Sequence, residues 1–352
     1  MSANETSNQP RASTSDARDP ALTNFREEHA KAAYLGIDLG GSNINCCAFD
    51  VNGQILAERK VDTEAQGGYE HVIARISGQL ERIRRQLDEG GYLLSAVGLC
   101  VPGVVLAGEG RVKIAPNLGW QNVHPLRDLR AGGLPVILAN DVNAGLVGEL
   151  SRYETRPETA LAYFCGTGIG GAVVIGGRLI TGAHGGAGEV GHMVVRLGGR
   201  KMERGVRGSL EAYIGKWALN HRIIERIKSG KKTMLRDIIK YNLNKTPVKS
   251  SSLKKAYEAG DRFCVDLMEE HYCKYLGVGI AQSANLLDPE LVILGGGIME
   301  AMGASLVPVI QKYLKRHTIG YPPELRLARL GDLAGPVGAA HLARNHAMGN
   351  LN

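Results

Sequence analysis

Short apolar runs recur along this chain, and most end in glycine or a polar residue. Ala33–Leu39 predicts a first strand and Ile44–Asp50 a second. Gln54–Val61 predicts a third, joined to the second by the turn-forming pair Asn52-Gly53. The period then changes. Val72, Ile73, Ile76, Leu80, Ile83 and Leu87 share one face at helical spacing, and Gly90-Gly91 closes that helix. Strands are expected at Ala96–Val101 and Val136–Ala139, with a short helix at Val142–Leu150. The order so far is β-β-β-α-β-β-α.

After Arg156-Pro157 the pattern starts again. Leu161–Cys165 reads as a strand, Gly166–Gly171 as a glycine turn, and Ala172–Ile175 as the returning strand. A helix is expected over Ser209–Gly230, then a lysine-rich stretch of helical character broken near Asn242–Pro247. Asp261–Leu287 reads as a long helix, Leu291–Leu294 as a short buried strand, and Ile298–Leu314 as a helix. Arg326–Leu330 predicts the last strand, and Gly335-Pro336 opens a final helix, Val337–His346. Repetition of strand, glycine turn and strand predicts two similar α/β domains facing each other across a cleft. Ligands of open α/β sheets gather at the carboxyl ends of the strands. The expected division is a disordered tail at 1–32, a smaller domain at 33–152 completed by the C-terminal helix at 336–352, and a larger domain at 153–335.

Composition narrows the class. The chain has 352 residues and a formal charge of +7, enough length for two cores. Between Lys201 and Gly260 fifteen Lys/Arg face five Asp/Glu, a solvated helical surface or a patch for polyanions. The six cysteines show no CxxC spacing and several lie in apolar runs, which fits free thiols in a reducing cytoplasm. No run of 18 apolar residues exists, so no membrane span is expected, and the polar Met1–Lys31 lacks the apolar core of a signal peptide.

Candidate chemistry sits at the strand ends. The N–H groups of Gly166–Gly171, with the Thr167 hydroxyl, can approach phosphate oxygens because glycine carries no Cβ. No Gly-Lys-Ser/Thr closes this loop and a strand follows it, so it is neither a Walker loop nor a dinucleotide fingerprint. The turn of Asp38-Leu-Gly-Gly-Ser42 offers the same backbone donors, and Asp38 can either hold a hydrated Mg²⁺ or cap the turn. Glu189-Val-Gly-His192 offers a carboxylate and an imidazole three residues apart, a pair suited to polyhydroxyl binding. Asp141 stands between a strand end and a helix start, whose positive end favours the ionised form. It is a candidate general base; the alternative is that Asn140 or Asp141 only caps the helix.

Together these motifs resemble the ROK family (repressors, open reading frames, kinases). Asp38–Ser42, Asn140-Asp141-Val-Asn-Ala144, Gly166–Gly171, Glu189–His192, Gly208-Ser-Leu-Glu211, Gly295-Gly-Gly-Ile298 and Gly331-Asp-Leu-Ala-Gly335 stand in the family's order, over about Tyr34 to Ala343. The resemblance implies the actin-like ATPase (ribonuclease H-like) fold and a kinase for hexoses, glucose most often. It implies Asp141 as base and sugar contacts from Asn117, Asn140, Asp141, Glu189, His192 and Glu211. Phosphates are expected at Asp38, Gly40, Gly41, Ser42, Gly166, Thr167, Gly168 and Gly170, adenine and ribose at Gly296 and Gly297, with ATP and Mg²⁺ as donor and cation. A homodimer or larger homo-oligomer is expected.

The family's repressors carry a helix-turn-helix domain before the first phosphate motif; the polar residues ahead of it here hold too few apolar positions for one, so no nucleic-acid partner is expected. A sugar sensor without turnover is disfavoured because Asp141 and both glycine loops are intact. Mannose, fructose and N-acetylmannosamine use related constellations, and some relatives accept polyphosphate, which the basic segment 201–255 could serve. In many relatives the histidine matching His192 joins three cysteines around zinc. The matching positions here are Met202, Arg204 and Ser209, so no structural zinc is expected.

Overall fold

The computed structural model describes residues 31–201 and 206–349. The expected tail lies outside the described residues, apart from its last two positions.

The first half builds one sheet. Strand β1 (Ala32–Leu39) pairs antiparallel with β2 (Asn43–Asp50), which pairs with β3 (Ile55–Asp62). Helix α1 (Gly68–Glu89) buries the stripe read from its spacing, Val72 to Leu87, against this sheet. The chain then adds β4 (Leu93–Val101) parallel to β1. Three short strands follow that periodicity did not reveal: β5 (Val104–Leu106), β6 (Arg111–Ala115) and β7 (Trp120–Val123), forming their own antiparallel sheet. Strands this short leave no alternation to read. Strand β8 (Val136–Asn140) returns parallel to β4 and leads into helix α2 (Asp141–Leu150).

The second half repeats the topology. Strand β9 (Ala160–Cys165) pairs antiparallel with β10 (Ile169–Ile175), and β10 with the two-residue β11 (Arg178–Leu179). A helical turn at Glu211–Ile214 precedes helix α3 (Lys216–Lys228), and α4 (Ser250–Glu258) follows the lysine-rich segment. Arg262–Asp266 enters a π-helical stretch, Leu267–Cys273, that continues into α5 (Lys274–Leu287). Strand β12 (Leu291–Gly295) lies parallel to β9, helix α6 (Gly297–His317) follows, and β13 (Glu324–Leu327) pairs parallel with β12. Both five-stranded sheets therefore have the order third, second, first, fourth, fifth.

Helix α7 (Ala334–Ala347) ends the described chain and lies on the first sheet. A Cβ at Gly36 would overlap the Pro336 carbonyl, and one at Gly98 the Ala339 carbonyl. Against α2 the same device recurs: a Cβ at Gly338 would overlap the Ala144 carbonyl. Helix backbone thus rests on strand and helix backbone, which brings the start of α7 to the end of β1.

Three expectations need correction. The turn after β9 is only Gly166-Thr167-Gly168; Gly170 and Gly171 are strand residues. The helix expected over Ser209–Gly230 breaks at Gly215, where the Lys216 amide donates to the Thr167 carbonyl (3.1 Å) instead of continuing a helical ladder. The last strand ends at Leu327, because the Arg329 and Leu330 amides donate to the buried Glu149 carboxylate, at 2.9 and 2.8 Å to Oε1. All six cysteines are free and buried.

Candidate active site

Strand β1 ends at Asp38, and the β1–β2 turn is tied down on both sides. Gly40 N–H donates to the Asn43 carbonyl (2.8 Å), Thr63 Oγ1 donates to the Gly40 carbonyl (2.7 Å), and Thr63 N–H donates to the Ser42 carbonyl (2.8 Å). The N–H groups of Gly41 and Ser42 have no partner among the described residues, so they are the donors left for an anion. Asn117, exposed on the short turn Pro116–Leu118, abuts this loop: a Cβ at Gly41 would stand 3.2 Å from its carbonyl. The sheet β5–β7 is what carries Asn117 there.

The Asp38 carboxyl is held by the Cys100 thiol, which donates to Oδ1 (3.3 Å). Burial pushes its pKa up to about 6; the charge of Asp141 adds to this, and the bonds from Cys100 and Asn45 oppose it. Cys100 is the last residue but one of β4, a position that sequence reading did not connect to the site.

At the end of β8, Asn140 is the cap of α2. Its Oδ1 accepts from the amides of Val142 (2.9 Å) and Asn143 (3.0 Å), and its Nδ2 donates to the Gly103 carbonyl (3.0 Å) and Asp141 Oδ1 (2.9 Å). Asn140 thus does the capping and also orients its neighbour. Asp141 Oδ1 accepts a further bond from Val142 N–H (2.9 Å), leaving Oδ2 without a hydrogen bond among the described residues. The Asp141 pKa is raised, first by burial; bonds from Val142, its own amide and Asn140 oppose this, and the charge of Glu189 adds to it. Charge thus links Asp141 to Asp38 and Glu189 to Asp141, although 151 positions separate the outer two in sequence.

The strand after the second glycine turn packs on the residue that follows Asp141, and the turn itself lies against Glu211. Gly166 N–H donates to the Gly168 carbonyl (2.9 Å), so the turn's free donors are the Thr167 and Gly168 amides and the Thr167 hydroxyl. Glu211 Oε2 accepts from Ile169 N–H (2.7 Å) and lies against Gly168. A Cβ at Gly170 would stand 2.6 Å from Cγ2 of Val142, the residue after Asp141. Gly296, at φ 82°, packs on the Cys165 peptide and precedes α6.

Glu189 precedes and His192 ends the turn Val190–His192, both half-exposed, with Nε2 and Oε2 3.9 Å apart. The segment after His192 is held by a β-bridge between Val194 and Ser209, by Leu210 N–H on the Met193 carbonyl (2.8 Å), and by Arg200 N–H on the Tyr213 hydroxyl (3.1 Å). Met202 and Arg204 lie outside the described residues. Among the described residues no group of three or more His, Cys, Asp or Glu could hold a metal ion.

The turn at the end of β1 thus adjoins the Asp38 carboxyl, the strand after the second glycine turn packs beside Asp141, and Asp141 keeps one uncommitted oxygen. Such a site can hold a polyphosphate and take a proton from a hydroxyl. The chain is similar to known proteins over most of its length. A glucokinase of Thermotoga maritima is 32% identical over 328 residues, 91% of this chain and 99% of that protein. The ROK hexokinase of Thermus thermophilus superposes with a TM-score of 0.74 at 31% identity, covering 90% of this chain and 99% of that one. A ROK family glucokinase of Streptomyces griseus, solved with glucose and AMPPNP, gives a TM-score of 0.73 at 29% identity, with coverage of 89% and 99%. These neighbours and the duplicated sheets identify the fold as the actin-like ATPase fold. The ROK family profile matches residues 34–346, and the chain belongs to the ROK family.

Proposed function

We propose that this protein is a sugar kinase that transfers the γ-phosphoryl group of ATP to the 6-hydroxyl of glucose. The observation that carries the proposal is the oriented, uncommitted Oδ2 of Asp141, whose charge acts on Asp38 at the end of β1 and which itself feels Glu189. A sugar hydroxyl is a poor nucleophile. Asp141 Oδ2 accepts its proton as the bond to phosphorus forms, help typically worth ~10²–10⁴-fold. Its raised pKa makes it a better proton acceptor than a solvent-exposed carboxylate.

Glu189, Glu211 and His192 bind the sugar hydroxyls, with Asn117 at the edge formed by β5–β7. Asn140 has every hydrogen-bonding position occupied within the protein; it serves the sugar through Asp141, and a direct contact would cost it the Gly103 bond. Unpaired buried groups in such a site reject sugars of the wrong geometry. Free amides of Gly41, Ser42, Thr167 and Gly168 receive phosphate oxygens from the two turns, and Gly296-Gly297 leaves room for the nucleoside.

The charge of Asp141 raises the proton affinity of Asp38, as a neighbouring carboxylate does where a cation belongs. Asp38 fits Mg²⁺, which when bound with ATP would neutralise charge on the transferring phosphoryl group. The positions matching the family's zinc cysteines are Met202, Arg204 and Ser209, which are poor zinc ligands; among the described residues, contacts between Val194–Arg200 and Ser209–Tyr213 hold that segment.

A coupled assay with ATP and Mg²⁺ over glucose, mannose, fructose and N-acetylmannosamine tests the proposal. Glucose is expected to give the highest kcat/KM; no turnover with any sugar overturns the kinase reading, and preference for another overturns the glucose assignment.

A further inference from the structure

Opposite the second glycine turn lies a cation that the preceding assignments do not use. Lys216 N–H donates to the Thr167 carbonyl (3.1 Å), which fixes the residue to the turn. Its side chain runs to the start of α6, where a Cβ at Gly297 would stand 3.4 Å from Nζ and 3.3 Å from Ser250 Oγ. No carboxylate lies within 4.0 Å of Nζ among the described residues. The ammonium is half-buried, and burial lowers its pKa against a weaker opposing effect of Glu300 in the first turn of α6. The Ser250 hydroxyl oxygen is buried and has no hydrogen-bond partner among the described residues.

An ammonium in that place is unfavourable in the free protein. It has lost water, and it faces the positive end of a 21-residue helix. A polyanion between the Thr167 turn and Gly297 reverses both costs. It pairs with the ammonium, accepts from the Ser250 hydroxyl, and lies along the favourable end of the helix field. A single monoanion would span less of the distance from turn to helix than a di- or triphosphate.

We propose that Lys216, assisted by Ser250, binds the α- and β-phosphates of the donor and sets donor affinity without touching the sugar. This rests on the kinase reading for its ligand. Lys216 is then a binding residue for the known type of reaction, and its effect should fall on one substrate only.

The test compares wild type with Lys216→Met and Ser250→Ala, with thermal melting to verify folding. Steady-state kinetics give KM for ATP and for glucose, and calorimetry gives the affinity for inorganic tripolyphosphate in the absence of sugar. Lys216→Met is expected to raise KM for ATP and weaken tripolyphosphate binding by roughly tenfold or more, as loss of a charged hydrogen-bond partner does. KM for glucose should stay within about twofold, and Ser250→Ala should show a smaller change of the same kind. Unchanged ATP and tripolyphosphate affinity in Lys216→Met overturns the proposal, as do parallel losses for ATP and glucose. Wild-type protein that turns over ATP but does not bind tripolyphosphate also overturns it. Should no sugar be phosphorylated at all, the calorimetric comparison still reads the Lys216 site by itself.

Discussion

Replacing Asp38 by Asn should stabilise the protein while removing its activity. Burial and the neighbouring Asp141 move the Asp38 pKa from 3.8 to about 6. A raised folded-state pKa means that the folded chain holds this proton more tightly than the unfolded chain. Stability therefore falls as pH rises from the unfolded value toward the folded one, and the loss is complete above it. A shift of this size corresponds to about 3 kcal/mol at pH 8 and about half of that at pH 5. Asn keeps an acceptor for the Cys100 thiol and removes the charge, so it abolishes this cost. The assay is thermal or urea unfolding of both proteins between pH 5 and 8. Asp38→Asn should be the more stable at pH 8, with the gap narrowing toward pH 5, and its turnover should be at least ~10²-fold lower because the cation loses a carboxylate. A variant no more stable than wild type at pH 8, or a gap independent of pH, would refute the argument that burial strains this carboxylate for function.

Further outcomes follow from the same geometry. The kcat/KM of the wild type, which reports the free enzyme, should rise with pH through about 6, the value reached by Asp38; a flat profile between pH 5 and 7 contradicts it. Asp141→Asn should lower kcat by ~10²-fold or more while leaving KM for the sugar within a few-fold, and a kcat within threefold removes Asp141 as base. Gly338→Ala should cost about 1–3 kcal/mol in urea unfolding, since its Cβ would overlap the Ala144 carbonyl. Gly78→Ala, on the exposed face of α1 with nothing within 4 Å, should instead gain about 1 kcal/mol. Metal analysis of protein prepared without chelator should find far less than one zinc per chain, and chelator followed by excess Mg²⁺ should leave activity intact.

Residues with a local reason for their conformation were readable from the chain. The stripe from Val72 to Leu87 reports a buried helix face because helical period and burial are one fact seen twice. Asn52-Gly53 reports a tight turn because Gly53 takes φ 82°, which few other residues tolerate, whereas Gly168 answers the Glu211 carboxylate that lies against it. Glycine content misled at Gly170 and Gly171: they are glycine because Val142, Gly188 and Val190 press on an ordinary strand, and the chain does not mark which pressure a glycine answers.

Function was legible only in part, as motifs at strand ends. Asp141 stood out by its place between strand and helix, but the sequence alone left open whether it or Asn140 capped the helix. Hydrogen bonds decide that, with Asn140 on the cap and Asp141 left one free oxygen. Cys100 and Lys216 carried no signal, because their partners Asp38 and Gly297 lie 62 and 81 positions away. Sequence by itself therefore determined the order of the longer strands and helices, the repeated strand-turn-strand pattern and the candidate pieces of the site, since each depends on neighbours a few residues apart. Tertiary structure decided which charges face one another, which donors remain free and how far burial moves each proton, since these depend on contacts between distant segments.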